Sequence, residues 1–159
     1  RVVVLTNKYW EGIVPKCNSL EAYDKEVLEK LKAFPDKISA SIEKYRFREA
    51  LGELMNLARL GNKYLADTEP WKLKKTNEKR TETIMNISIQ ISASLAVLSK
   101  PFIPFSSEKL KGLLNLDKMT WNDAGRIIIN DNHKINSATH LFNKIEDEQI
   151  EEQLEKLKQ

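Results

Sequence analysis

The stretch FREALGELMNLARLGNKYLADT, residues 47–68, decides the fold class. Its apolar and small residues recur at intervals of four, three, four, three and four, at Phe47, Leu51, Leu54, Ala58, Gly61 and Leu65. That spacing places them along one stripe of an α-helix that packs lengthwise against other helices. Pro70 follows directly, and its ring and missing N–H predict that the helix closes just before it.

The sequence upstream of this stretch predicts two more helices. Ser19 is a candidate N-cap for the first, which carries one apolar face made of Leu20, Tyr23, Val27, Leu28, Leu31 and Phe34. Pro35 is expected to end that helix, because proline cannot continue the hydrogen-bond ladder. A second helix then follows from about residue 36 to residue 45.

The sequence downstream predicts one long helix and several short segments. Residues 77–99 are apolar on almost every face, which predicts a buried helix, and residues 107–114 predict a short one. Residues 126–131 are rich in β-branched side chains and predict an extended segment that lies on the bundle. The predicted fold is therefore all-α: one domain over residues 1–159, an antiparallel helical bundle with a C-terminal strap (residues 122–159) that ends in a helix.

The first ten residues leave two structures open. Val2 to Leu5 form an apolar run that suits either a strand or the last turns of a helix, and so short a run shows no deciding period. Gly12 and Pro15 stop the segment in either case. Because the run begins at Arg1 rather than at a methionine, we expect the chain to be part of a longer protein.

Composition excludes several classes of protein. Among 159 residues, 41% are hydrophobic and only five are glycine and five proline, which excludes collagen-like, low-complexity and disordered chains. Cys17 is the single cysteine, so neither a disulfide framework nor a multi-cysteine zinc site is possible within the chain. No nucleophile–base pair or glycine-rich phosphate loop is evident, and no apolar run could span a membrane. The sequence predicts no catalytic residue and no metal site.

Charge is distributed unevenly along a chain whose net charge is only +3. Residues 71–80 carry five positive side chains and one negative, whereas residues 145–159 carry six acidic side chains and two basic ones. Within the basic stretch, Trp71 follows Pro70 directly and precedes Lys72, Lys74 and Lys75. An exposed aromatic ring flanked by cations suits an unstacked nucleic-acid base and its phosphates. The residues alone leave a second interpretation open, in which Trp71 plugs the end of the bundle and the lysines are merely solvated.

Three segments resemble methionyl-tRNA synthetases in their helical anticodon-binding domain. They are RVVVLTNKYWEGIVP (1–15), NKYLADTEPWKLKK (62–75) and HKINSATHLFNKIEDEQI (133–150), and they occur in the family's order. The resemblance implies that the N-terminal run is the end of a long first helix. It also implies a function in reading the CAU anticodon of methionine tRNA, within an enzyme that ligates methionine to that tRNA.

The resemblance assigns three residues to the anticodon. Trp71 matches the tryptophan that stacks on an anticodon base, and Pro70 matches its neighbour in the family's proline–tryptophan pair. Counting back from Gly12 places on Arg1 the arginine that helps read the anticodon bases. The assignment of Lys72, Lys74 and Lys75 to tRNA phosphates is instead our inference from charge.

The resemblance also implies properties of the whole enzyme. It places a catalytic domain upstream, which uses ATP with Mg²⁺ and has zinc as a further candidate metal, in a cytoplasmic protein. The HIGH and KMSKS motifs of that domain do not occur in this sequence, so these residues cannot activate methionine. The catalytic domain is an expected partner of the C-terminal strap, beside methionine tRNA itself.

Two other functions are compatible with the residues. One is a helical protein-interaction module whose acidic tail docks on a basic partner, and a fully buried Trp71 would favour it. The other is the equivalent domain of the class I synthetases for isoleucine, valine, leucine or cysteine. The proline–tryptophan pair and the LFNKIED string, residues 141–147, favour methionine.

Overall fold

The computed structural model describes residues 1–158, and its regular secondary structure is helical. The α-helices are α1 (Val2–Trp10), α2 (Ala22–Glu43), α3 (Phe47–Thr68), α4 (Pro70–Leu73), α5 (Glu78–Leu98), α6 (Pro104–Leu113) and α7 (Asp147–Lys156), with a 3₁₀ turn at Trp121–Asp123. Within these residues the β-pairing amounts to a single antiparallel bridge between Ile13 and Lys134. The all-α class is confirmed, and none of the helices in residues 1–158 is long and apolar enough to cross a membrane.

Helix α5 is the centre of the bundle. It packs against α1, α2, α3 and α6, and it is buried on nearly every face, as its all-round apolar pattern predicts. Helix α3 has the bounds that its stripe predicts, and it approaches α5 closely at Gly61. A Cβ atom there would lie 3.0 Å from Cγ2 of Ile91, so the missing side chain is what permits the contact.

Helix α2 corrects the expectation that Pro35 ends a helix. One continuous helix runs from Ala22 to Glu43 with Pro35 inside it, in place of two helices divided at that residue. Proline removes the bond to the carbonyl of Leu31, four residues earlier, and its ring crowds that carbonyl. On either side, Leu31, Phe34 and Ile38 are buried in the core that α2 shares with α3 and α5. Burial of that apolar face outweighs the one lost hydrogen bond.

The start of α2 also differs from the prediction. Glu21, not Ser19, is the N-cap, and it forms a capping box with Asp24. The backbone N–H of Glu21 donates to Oδ2 of Asp24 at 2.9 Å. Residue type favoured Ser19, because serine is a commoner N-cap than glutamate.

The C-terminal strap lies on the bundle without forming a strand. Residues 126–131, predicted as an extended segment, are held by the buried side chain of Gln90 on α5. Its Oε1 accepts from the backbone N–H groups of Ile128 and Ile129 at 2.8 and 3.0 Å, and its Nε2 donates to the carbonyl of Ile129 at 2.7 Å. One glutamine thus supplies the hydrogen bonds that a neighbouring strand would otherwise supply.

A helix lies near each end of the described residues. The N-terminal run, which could have been strand or helix, is the helix α1, as the resemblance implies. The predicted terminal helix of the strap is α7, whose apolar side chains Ile150 and Leu154 are exposed, as is Leu157 directly after it.

Candidate nucleic-acid interface

Trp71 projects from a sharp change of direction after α3. That helix ends at Thr68, and Glu69 adopts a left-handed backbone conformation with φ of 41°. Pro70 then begins the single turn α4, where its missing N–H costs no hydrogen bond. Pro70 is buried, whereas 37% of Trp71 is exposed. The proline therefore anchors the turn in the bundle, and the tryptophan ring reaches solvent.

Arg1 and Trp71 lie together although 70 positions separate them in the sequence. Both line one open cavity of about 400 Å³, and the remaining lining residues are Val4 and Leu5 of α1. The cavity combines an indole ring, aliphatic side chains and one guanidinium group. These are groups that stack on a base and donate hydrogen bonds to its edge.

The three predicted phosphate-binding lysines have different surroundings. Lys72 is exposed and pairs with Glu69, its Nζ lying 2.8 Å from Oε1. Lys74 is only 21% exposed, pairs with Glu78 and lies over the Trp10 ring with Nζ 4.4 Å from the centroid. Lys75 is exposed and, among the residues that the structure describes, has no carboxylate within ion-pair distance. Of the three, Lys75 is the most available to a phosphate.

Arg80, counted in the basic stretch, does not belong to this surface. Its side chain is 12% exposed, and its guanidinium binds the buried carboxylate of Asp24 and, at 3.2 Å, Oε1 of Glu21. Burial alone would raise the pKa of Asp24, but hydrogen bonds from Arg80 and Tyr64 hold that pKa below its usual value. Asp24 is therefore ionised at neutral pH, and its charge neutralises that of Arg80.

Sequence reasoning missed the residues that support this interface. Trp10 lies beneath Lys74, and Val4 and Leu5 form the apolar wall beside Trp71. All three are on α1, whose helical nature the composition could not decide. The available signal was the Tyr9–Trp10 pair, an aromatic dipeptide close to the turn at Gly12.

A larger groove adjoins the cavity at Arg1. It has a volume of about 550 Å³ and runs between α1, α3, α5 and residues 138–141 of the strap. His140 lines this groove, whereas Nε2 of His133 contacts the carbonyl oxygen of Leu114 at 2.8 Å. No three His, Cys, Asp or Glu side chains in residues 1–158 are grouped as a metal site.

Comparison with known proteins identifies the family. A family model described as the anticodon binding domain of methionyl tRNA ligase matches residues 14–159. A methionine–tRNA ligase of Flavobacterium psychrophilum is 56% identical over 160 residues, which are 99% of this chain and 23% of that protein. The chain belongs to the methionyl-tRNA ligase family. The match lies in the family's anticodon-binding domain, which confirms the resemblance on which the prediction was based.

A further relative belongs to the same family, and a solved structure has the same fold. A methionine–tRNA ligase of Phocaeicola vulgatus is 49% identical over 158 residues, again 99% of this chain and 23% of that protein. The apo methionyl-tRNA synthetase of Mycobacterium tuberculosis superposes with a TM-score of 0.82 at 19% identity, over 92% of this chain and 30% of that one. That likeness shows the fold. The chain spans about a quarter of the length of its curated relatives.

Proposed function

We propose that this domain binds the CAU anticodon loop of methionine tRNA in the cavity between α1 and the turn after α3. Trp71 stacks on one anticodon base, Arg1 donates hydrogen bonds to base edges, and Pro70 holds the turn. The observation that supports this proposal is the position of Arg1 and Trp71, which line one cavity within a chain of the anticodon-binding family. Trp71 is also partly exposed, whereas full burial would have favoured a protein-interaction module.

The lysines near Trp71 supply the sequence-independent part of binding. Lys75 contacts a phosphate directly, while Lys72 and Lys74 exchange Glu69 and Glu78 for phosphates when the tRNA arrives. Each phosphate contact releases counterions, so this part of the affinity falls as salt rises. Stacking on Trp71 carries no such dependence and persists at higher salt.

The test is a titration with two anticodon stem-loops, one with CAU and one with a scrambled anticodon, at two salt concentrations. We expect a preference for CAU that survives the higher salt. Trp71→Ala should weaken CAU binding by about 1–3 kcal/mol, the usual contribution of a stacked base. Equal binding of both stem-loops, or an unchanged affinity for CAU in the tryptophan variant, would contradict the proposal.

For the whole protein, we propose the activity that the names of its relatives describe, ligation of methionine to its tRNA with ATP. Support comes from those names and from a structural neighbour, the methionyl-tRNA synthetase of Mycobacterium tuberculosis with methionyl-adenylate bound. Mg²⁺ and zinc, as well as a cytoplasmic location, belong to this proposal for the complete ligase. Steady-state aminoacylation by the full-length protein tests it, and failure to charge methionine tRNA would refute it.

We also propose that the strap contacts the catalytic domain of the same protein. Its helix α7 exposes Ile150 and Leu154 on a strongly acidic background, has no buried residue and makes no extensive contact with another helix in residues 1–158. Hydrogen exchange in residues 147–158 should be slower in the full-length ligase than in this chain alone. Equal exchange in the two would rule out the contact.

A further inference from the structure

The carboxylate of Asp24 is fully buried yet completely partnered. Its Oδ1 accepts from the hydroxyl of Tyr64 at 2.6 Å and from Nη2 of Arg80 at 2.9 Å. Its Oδ2 accepts from the backbone N–H of Glu21 and from Nη1 of Arg80. The three side chains come from three helices: Asp24 from α2, Tyr64 from α3 and Arg80 from α5.

The position of this cluster in the fold connects it to Trp71. Tyr64 lies one turn before the end of α3, and Arg80 lies in the first turn of α5. The segment that carries Trp71, residues 69–77, spans the gap between those two helix ends. Asp24 therefore hydrogen-bonds to the helices on both sides of the segment. The hydroxyl of the neighbouring Tyr23 adds a 2.7 Å hydrogen bond to Asp67 of α3.

The chemistry of the cluster suits it to fixing the geometry of the helix ends more than to stabilising the fold. Buried ion pairs are often replaced by apolar residues at no cost in stability, because desolvating the charges offsets their attraction. What an arginine–carboxylate fork adds is direction, since two parallel hydrogen bonds fix distance and angle together. Stacking on a base depends on the plane and height of the ring, so the ends of the Trp71 segment need such a constraint.

We propose that Asp24, Tyr64 and Arg80 are positioning residues for anticodon recognition, which set the separation of α3 and α5 and thereby the placement of Trp71. This inference rests on the proposed function of Trp71. The cluster touches no RNA and acts through the ends of residues 69–77. Its disruption lowers the affinity for the CAU loop and leaves phosphate-driven binding intact.

The experiment uses the full-length ligase and the same two stem-loops. Tyr64→Phe removes one hydroxyl, and Arg80→Lys keeps the charge but loses the fork. Each should weaken CAU binding about threefold to tenfold, a part of what one stacked base contributes. Binding of the scrambled stem-loop should not change.

The matched control is Ser107→Ala, which also removes one buried hydroxyl. Its Oγ donates to the carbonyl of Ala96 at 2.6 Å and joins α6 to α5, away from residues 69–77. Thermal unfolding of all variants measures the loss of stability. If Ser107→Ala weakens CAU binding as much as Tyr64→Phe does, the effect is general destabilisation and the proposal is overturned.

A double-mutant cycle with Trp71→Ala decides whether the cluster acts through that ring. We expect Tyr64→Phe to have no further effect on CAU binding in the Trp71→Ala background. Additive effects would overturn the positioning role. An effect of Trp71→Ala without any effect of Tyr64→Phe or Arg80→Lys would refute this inference alone. No effect of Trp71→Ala would refute the stacking function and the inference with it.

Discussion

Replacement of Gly125 by alanine should destabilise the domain, because this glycine is where the strap crosses α2. Its backbone has φ of 78°, a conformation that side chains disfavour. A Cβ atom there would lie 3.0 Å from Cγ of Pro35, 3.2 Å from the carbonyl oxygen of Leu31 and 3.2 Å from Cα of Lys32. Two of these three neighbours are backbone atoms of a packed helix, so displacing them would cost free energy.

The expected cost has two parts. The left-handed conformation costs an alanine about 1–2 kcal/mol. Overpacking against a rigid neighbour adds about 1–3 kcal/mol. Gly125→Ala should therefore lower the free energy of unfolding by about 2–5 kcal/mol, which is a large share of the stability of a typical domain.

Gly52→Ala is the matched control, since it makes the same chemical change elsewhere. Gly52 lies within α3, is exposed, and has no atom within 4 Å of the position that a Cβ would occupy. Alanine there should stabilise the domain by about 1 kcal/mol through helix propensity. Urea unfolding followed by circular dichroism measures both variants. If the free energy of unfolding of Gly125→Ala lies within about 0.5 kcal/mol of wild type, the range of ordinary surface changes, a side chain fits where the strap crosses α2 and the reasoning is refuted.

Three further predictions concern protonation and salt. Burial and the hydrogen bond to Asp24 raise the pKa of Tyr64 above its usual 10, so the unfolded chain loses that proton first as pH rises. The free energy of unfolding should therefore fall above pH 10, and it should fall less steeply in Tyr64→Phe. The pKa of Asp24 lies below its usual 3.8, so the unfolded chain takes up that proton first as pH falls. Urea unfolding below pH 4 should therefore show a loss of stability that is smaller in Asp24→Asn, where the other carboxylates with lowered pKa values still contribute. Lys75→Ala should reduce the slope of log affinity against log salt by about 0.7, whereas Lys74→Ala should reduce it less, because Lys74 already pairs with Glu78. Equal salt slopes for the two lysine variants would refute the inference that Lys75 is more available to a phosphate than Lys74.

Periodicity predicted the parts of the fold in which local and tertiary forces agree. The bounds of α3 and the burial of α5 follow from apolar spacing, because the same side chains define both the helix and its core contacts. Pro35 is where the two disagree. Its local effect is to break a helix, but buried apolar residues on both sides hold α2 together. Nothing in the spacing of α2 shows how much of that face becomes buried.

The candidate site was predictable in part: the residues alone indicated Trp71 and the lysines, and the resemblance added Arg1. Local sequence indicated that Trp71 leaves a helix end at a proline, and the structure has that geometry. The proximity of Arg1 to Trp71 is tertiary, so no local pattern could indicate it. A count of charges also could not show that Arg80 is buried against Asp24, because that partner lies 56 positions earlier in the chain.

The cations that follow Trp71 therefore have two kinds of surroundings, paired and exposed, which the sequence does not distinguish. Arg80 faces inward, where Asp24 neutralises it, while Lys74 lies against Trp10 and Glu78. Lys75 is left exposed to solvent. Phosphate contacts of such cations carry no sequence information, so under the proposed function selectivity depends on stacking by Trp71 and on hydrogen bonds from Arg1. The proposed function requires one anticodon to be distinguished among many tRNAs with similar backbones, and only recognition of the bases can supply that distinction.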